Sequence, residues 1–301
     1  MSSIRTWISA FRLRTLFLAV ATVVLGSGIA LHEGKFSLLV FVLTLVLSIF
    51  IQILANLAND LGDFEKGTDI TGKRQGPVRA MQSGSITRKQ IIKAILITVI
   101  LSMALGSILI LAIAKEIGHA FVFGLFIVGL FCILSALFYT MGKIAYGYKG
   151  WGDFFAFLFF GPVAVIGTYF LHVHRIDFQP MLPSIGMGFI SAMILNINNM
   201  RDIDNDKESG KITVASKLGL KRAKLYHVSL TFGMFACFLQ YSFMFAPLPW
   251  YRYLYTIVLF LFFIILSKIT NKKNRELDPY LKFTSLSGFL LAVAFSLCIK
   301  F

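Results

Sequence analysis

The chain has 301 residues, of which 57% are apolar and only 14% charged, and its net charge is +15; a soluble domain carries about a quarter charged residues. Mean hydropathy is +0.79, and apolar runs long enough to cross a hydrocarbon core, roughly 17–25 residues, recur from end to end. These properties exclude a soluble enzyme, and they exclude a nucleic-acid module because the basic residues flank apolar spans without an aromatic-interleaved stripe.

The first residues, MSSIRTWISAFRLRTLFLAV, have no small-residue cleavage site after their apolar stretch, so they read as retained helix rather than a signal peptide. Spans are predicted near 16–31, 37–57, 91–114, 119–139, 154–171, 181–199, 227–247, 253–269 and 281–299. All but five of the 29 Lys and Arg residues lie at the N-terminus or in the loops after spans two, four, six and eight; the five are Lys35, Lys115, Arg175, Arg252 and Lys300. The basic bias of short loops predicts that the rich face, and the N-terminus with it, is cytoplasmic. Of the 14 acids, only Glu33, Glu116 and Asp177 lie on the other face. Cys132, Cys237 and Cys298 fall within spans and show no paired spacing, so they read as small core hydrophobes. His172 and His174 lie far from the acidic clusters and read as structural.

Span two ends in NLANDLGDFEKGTD (56–69). Asn56, Asn59, Asp60 and Asp63 are spaced i, i+3, i+4 and i+7, which puts them on one helical face, and Gly67 is placed to end that helix. Carboxylates in the last turns of a helix are disfavoured by the macrodipole, so cations must stand opposite. The loop 71–90 offers Lys73, Arg74, Arg79 and Arg88, and the loop 139–153 offers Lys143 and Lys149 with Tyr139 and Tyr146. Span six ends in NINNMRDIDNDKESGK (196–211). Asn198, Asp202 and Asp206 are spaced i, i+4, i+8 and are predicted to share one face of a continuing helix, with Asp204 on another; Gly210 and Lys211 follow.

The two clusters match each other and lie four spans apart on the same face. This predicts an all-α polytopic membrane protein of nine transmembrane helices around a central cavity: two four-helix pseudo-repeats, about 10–150 and 151–270, plus a ninth helix. Such repeats place the site between the halves. An all-oxygen donor set suits Mg2+, which takes one or two carboxylates and completes its shell with water and substrate phosphates. Paired clusters of this kind make sense as a clamp on a diphosphate.

The segments NDLGDFEKGTD (59–69), GPVRAMQSGSIT (76–87), YTMGKIAYGYKGWGD (139–153) and NNMRDIDNDKESGKITVASKLG (198–219) resemble the UbiA-type intramembrane aromatic prenyltransferases. The similarity covers essentially the whole chain, and the second and fourth segments point to the branch acting on 1,4-dihydroxy-2-naphthoate. The resemblance implies that Asn59, Asp63, Asp202 and Asp206 hold two magnesium ions bridged by the diphosphate, and that Asp60 supports the first. Tyr139, Lys143 and Arg201 would assist diphosphate departure, with Asn56, Asp60, Lys73, Arg79, Asn198 and Lys211 around the substrates. Many relatives carry a further carboxylate where this chain has Gly67, and Asp69 stays outside the expected ligand set. The implied partners are polyprenyl diphosphate, 1,4-dihydroxy-2-naphthoate and the bilayer of the cell inner membrane, with no nucleic acid and no obligate protein partner. Faces of Tyr139, Phe138 and Tyr146 and of Phe residues in spans five and six are candidates to shelter an allylic cation. Two alternatives stand beside this reading. One is another acceptor (4-hydroxybenzoate, homogentisate or haem), and the other is a transporter coupling to a cation at a repeat interface.

Overall fold

The computed structural model describes residues 3–245 and 249–301. Among these residues, nine helical segments are long and apolar enough to cross a membrane, and the only β pairing is one isolated bridge between Lys149 and Ile212. A short α1 (Ile4–Phe11) is capped by Ser3, whose Oγ accepts the Thr6 N–H at 3.3 Å. The chain then turns through left-handed Arg12 into α2 (Leu13–His32). Next comes α3 (Leu38–Glu65), whose 28 residues amount to about 42 Å of helix. A hydrocarbon core is about 30 Å thick. The last turns, which carry the acidic residues, therefore reach out of it. Gly67, at φ +79°, adopts the left-handed conformation that closes the helix.

Thr87 and Gln90 form a reciprocal capping box at the start of α4 (Arg88–Ile113), and α5 (His119–Phe138) follows. The fifth span is α6 (Gly152–Leu158), a π-helical stretch (Phe159–Ile166) and α7 (Gly167–Val173). Pro162 lies in that stretch and has no N–H to give the regular ladder, so the helix widens locally. The sixth span is α8 (Met181–Arg201), followed by the short α9 (Ile203–Glu208). α10 (Val214–Phe245) is interrupted at Gly219, φ 76° and ψ 161°. Residues 246 and 247 of the span predicted at 227–247 lie outside the described residues. The last two spans centre on α11 (Thr256–Ile269) and α12 (Asp278–Lys300).

α12 runs along α2, α10 along α8, and α3 against α4. The close approaches rest on small residues, as expected where lipid removes the hydrophobic drive between helices. A Cβ on Gly161 would lie 2.8 Å from the Gly188 Cα, and one on Gly28 would overlap Ser296. The largest core joins α2, α8, α10 and α12 through residues such as Leu25, Met187, Ile190, Phe238 and Phe295. Phe123 and Phe131 of α5 are exposed and present bulk to lipid. On the face opposite the acidic clusters, His172 is buried; Ser27 Oγ lies 2.9 Å from Nε2, and the Ser37 N–H donates to Nδ1 at 3.2 Å. It ties α2, α3 and α7 together.

Candidate active site

The first acidic cluster stays on one unbroken helix. Asn56 donates from Nδ2 to the Phe11 carbonyl and to Thr15 Oγ1, each at 2.9 Å, and so fastens the α1–α2 corner to α3. Asp60 is buried in an ion pair with Arg12. Asp63 takes the Arg79 guanidinium and the Tyr148 hydroxyl, the latter at 2.6 Å. Arg79 Nη1 also donates to the Asn59 carbonyl at 3.1 Å and to Asp69 Oδ2 at 3.2 Å, and its Nε lies 3.6 Å from Asp60 Oδ1. Burial alone would lower the Arg79 pKa, but Asp63, Asp69 and Asp60 outweigh it and raise it. This is the cation that the helix C-terminus required. Burial raises the pKa of Asp69 despite Arg79 and Arg74.

The second cluster departs from the expected continuous helix. α8 stops at Arg201, and Asp202 is the junction residue at φ −104° before α9 begins. The Asp202 N–H still donates to the Asn198 carbonyl at 3.2 Å and the Asp206 N–H to the Asp202 carbonyl at 2.9 Å, so the break is a local distortion within the i, i+4, i+8 run. At the break the Asp202 carboxylate is held by the last residue of α8 and by the loop after span two. Its Oδ2 accepts from Arg201 at 2.5 Å, and its Oδ1 accepts the Gln75 N–H at 3.0 Å. Burial acts to raise the Asp202 pKa, but these bonds bring it below the usual carboxylate value. Arg201 is fully buried and also donates to Asn198 Oδ1 at 2.8 Å and to Asp278. It is spent on protein groups. Asp206 is the least satisfied acid of the cluster. Its Oδ2 has no hydrogen-bond partner, and burial pushes its pKa up to about 6 against the pull of Lys211.

Lys211 joins the clusters. Its Nζ lies 4.0 Å from Asp63 Oδ1 and 4.0 Å from Asp206 Oδ1, over the Tyr148 ring at 5.3 Å. The loop after the first cluster straps the second: Thr71 bonds Asn205, Lys73 pairs with Glu208 at 2.8 Å, and Gln75 holds Asp202. Gly76 is required there, since a Cβ would lie 2.6 Å from Arg201 Nη2. The Ile212 N–H donates to the Tyr148 carbonyl at 3.0 Å, so the loops after spans two, four and six close over one another.

Under this roof lies a cavity of about 430 Å³. Asn56, Asn59, Asp63, Arg79, Asn198 and Lys211 line it, as does Tyr139. Tyr139 stands edge-on to Tyr146 at 5.4 Å, Tyr146 lies 4.3 Å from Phe155, and Phe155 stacks with Phe159 at 6.0 Å, forming a string of rings that descends into the membrane. Asp202, Lys73 and Arg201 border a separate small cavity of about 140 Å³. Asp60 and Asp206 lie behind their cationic partners. Lys143 is exposed on its loop and does not line the cavity, and Phe138 is likewise 37% exposed and off it. Sequence reasoning missed Arg12, Tyr148 and Asp278. Tyr148 sits in the quoted YTMGKIAYGYKGWGD segment, and Asp278 is an acid at the first turn of span nine; both signals were present but lacked a partner in sequence.

The model of the UbiA prenyltransferase family matches residues 19–291. The chain belongs to the UbiA prenyltransferase family. It is 36% identical to the 1,4-dihydroxy-2-naphthoate octaprenyltransferase of Haemophilus influenzae, over 98% of this chain and 95% of that one. It is 39% identical to the enzyme of the same description from Escherichia coli, over 79% of this chain and 76% of that one. Among solved structures, a UbiA homolog from Archaeoglobus fulgidus bound to DMAPP and Mg2+ superposes with a TM-score of 0.66 at 16% identity, covering 98% of this chain and 99% of that chain. The apo UbiA homolog from Aeropyrum pernix gives 0.68 at 13% identity, over 96% of each chain. These neighbours share the fold. As a UbiA family member, the chain is a membrane-embedded, prenyl-transferring enzyme.

Proposed function

We propose that this UbiA family enzyme moves a polyprenyl group from its diphosphate to 1,4-dihydroxy-2-naphthoate, releasing diphosphate and carbon dioxide and giving a demethylmenaquinol. The observation that carries the reading is the meeting of Asn59, Asp63, Asn198 and Lys211 at the mouth of one apolar cavity. Its support is the likeness to the naphthoate octaprenyltransferases along nearly the whole chain.

The donor set fits Mg2+. Among the described residues, no three His, Cys, Asp or Glu side chains gather as a metal-binding group, while a buried Asp206 oxygen is left without a partner. An ion held here would draw on an Asn–Asp or an Asp–Asp pair and complete its shell from the diphosphate, as magnesium does. We assign Asn59 and Asp63 to one ion and Asp202 and Asp206 to a second, with Asp60 holding Arg12 beside them; bound magnesium would neutralise charge on the departing diphosphate. Arg79 and Lys211, already facing these carboxylates, are the cations available to phosphate oxygens. Arg201 acts through Asp202, which it orients, and exposed Lys143 and Lys73 take no step.

The rings of Tyr139, Tyr146, Phe155 and Phe159 offer π faces to an allylic cation in a pocket poor in water. The ring carbon bearing the acceptor's carboxylate forms the new bond to the allylic carbon as the carbon–oxygen bond to diphosphate breaks. The electron pair of the ring–carboxylate bond then restores aromaticity as carbon dioxide leaves, so no net proton is lost. The polyprenyl tail lies along the apolar lower cavity toward lipid. The basic loops argue for a cytoplasmic N-terminus and site face on the inner membrane, and the matched clusters for pseudo-repeats of about 10–150 and 151–270.

The test is an assay of purified protein with Mg2+, a polyprenyl diphosphate and either 1,4-dihydroxy-2-naphthoate or 4-hydroxybenzoate. Carbon dioxide release matching prenylated naphthalenediol is expected. A prenylated hydroxybenzoate that keeps its carboxylate would move the assignment to another acceptor. Absence of transfer to either acceptor would overturn it.

A further inference from the structure

Thr44, Ser48, Gln52 and Asn56 repeat every four residues along α3, and all line the cavity. Polar groups within a span must be satisfied by protein or ligand, because lipid offers no partner. Ser48 donates to the Ala19 carbonyl at 3.2 Å, and Asn56 spends both N–H groups on Phe11 and Thr15. Gln52 differs. It is 8% exposed, and its Nε2 donates to Thr15 Oγ1 at 3.3 Å and to Asn56 Oδ1 at 3.2 Å, yet its Oε1 has no partner.

The network fixes which way this amide faces. Thr15 gives its hydroxyl proton to the Arg12 carbonyl at 2.9 Å, so toward Gln52 it can only accept. Asn56, with both N–H groups committed, presents only its oxygen to Gln52. Gln52 must therefore turn its NH₂ to these two acceptors, and its own oxygen is left facing away from them as a pure acceptor. Such a buried oxygen is costly until a donor arrives. Thr44 Oγ1 is also unpaired, but a hydroxyl rotates to donate or accept and carries no such direction.

We propose that Gln52 Oε1 accepts a hydrogen bond from a ring hydroxyl of the aromatic co-substrate, which makes Gln52 a specificity-determining residue for a hydroxylated ring. The inference rests on the prenyl-acceptor reading above. An acceptor-only oxygen selects an O–H and repels a carboxylate. An anionic substituent has cations within the same cavity in Arg12 and Arg14, the residues that lead into Thr15. Accepting from a ring hydroxyl also leaves more electron density on the ring, which favours its attack on the allylic carbon.

The experiment measures binding of two ligand pairs to the wild-type protein and to Gln52→Met and Gln52→Leu, in detergent and without prenyl diphosphate. The pairs are 4-hydroxy-2-naphthoate with 2-naphthoate, and 4-hydroxybenzoate with benzoate. Each pair differs by one hydroxyl and keeps the carboxylate. Melting and gel filtration check that both variants are folded, and their different shapes guard against a packing artefact. Wild type should prefer the hydroxylated naphthoate about tenfold, and both variants should lose that preference while binding 2-naphthoate as before. An undiminished preference in both folded variants overturns the role of Gln52 and leaves the naphthoate reading standing. If only the benzoate pair binds, and its hydroxyl preference is lost in the variants, Gln52 keeps its role and the acceptor assignment fails. Failure of both pairs to bind wild type overturns both readings.

Discussion

Two acidic segments with similar residues and spacing fold differently. The first runs as uninterrupted helix to Glu65, and its cations come from elsewhere: Arg79 lies 16 residues beyond Asp63, and Arg12 comes from the α1–α2 corner. The second is interrupted at Asp202, whose carboxylate is held by the adjacent Arg201, itself anchored on Asp278, and by the Gln75 N–H. In the first cluster Asp60 and Asp63 each face arginine and only Asp69, in the loop beyond the helix, keeps an unpartnered oxygen, whereas in the second Asp206 keeps one and has only Lys211 at 4.0 Å for counter-charge. Matching side chains therefore do not make matching sites. The first half is held ready by cations that a ligand must share, and the second has capacity to spare for a cation.

The largest expected effect is on activity. Asp63→Ala and Asp202→Ala should each lower prenyl transfer by about 10²–10³-fold or more. Both variants should remain folded, since Arg79 keeps Asp60 and Asp69, and Arg201 keeps Asn198 and Asp278. Assay of detergent-purified variants with a melting control checks this, and near-wild-type turnover in both would break the two-cluster comparison. Next comes Arg79→Ala, which strips the common partner from three buried carboxylates. A loss toward the low end of about 3–5 kcal/mol, read as reduced thermal stability, is expected, since Arg12, Lys211 and Arg74 still stand beside Asp60, Asp63 and Asp69. Arg79→Lys should recover part of it, because one ammonium cannot reach three acids as a guanidinium does.

Gly76→Ala probes the strap between the clusters. The added Cβ would meet Arg201 2.6 Å away, and that guanidinium cannot yield, being fully buried and bonded to Asn198, Asp202 and Asp278. Overpacking of this kind costs about 1–3 kcal/mol. Activity should fall with stability, because the crowded guanidinium is the group that orients Asp202; an unchanged melting temperature would mean that the loop gives way instead.

Much of this was legible in the sequence. The spans followed from apolar run length, and Asn56, Asn59, Asp60 and Asp63 from helical spacing on a helix that does continue. The interruption at Asp202 was not legible, because the groups that meet there are distant in sequence: the Gln75 N–H, 127 residues from Asp202, and the Asp278 carboxylate, 77 residues from Arg201. Lys143 resembled a site residue because Tyr139 precedes it by one helical turn. However, α5 ends at Phe138, so that helical spacing has no helix beneath it and the lysine faces solvent. Lys211 gave no local sign of its place between Asp63 and Asp206, since its role depends on folding two loops together.

The smallest stability effect, and the one that best separates the two clusters, is expected from Asp206→Asn. The carboxylate is buried, one oxygen is unpartnered, and burial holds its pKa above that of an exposed aspartate. At neutral pH its charge is therefore a cost to the folded protein, offset only in part by Lys211 at 4.0 Å. Replacing it with a neutral amide of the same shape should leave the melting temperature unchanged or slightly raised, within about 1 kcal/mol. Asp63→Asn, in contrast, removes a charge that Arg79 and Lys211 both face, and should be clearly destabilising. If the two asparagine variants melt alike, the difference in counter-charge is not energetic. If only Asp206→Asn keeps its stability while losing Mg2+-dependent transfer, that oxygen is held unpaired for a ligand rather than for the fold.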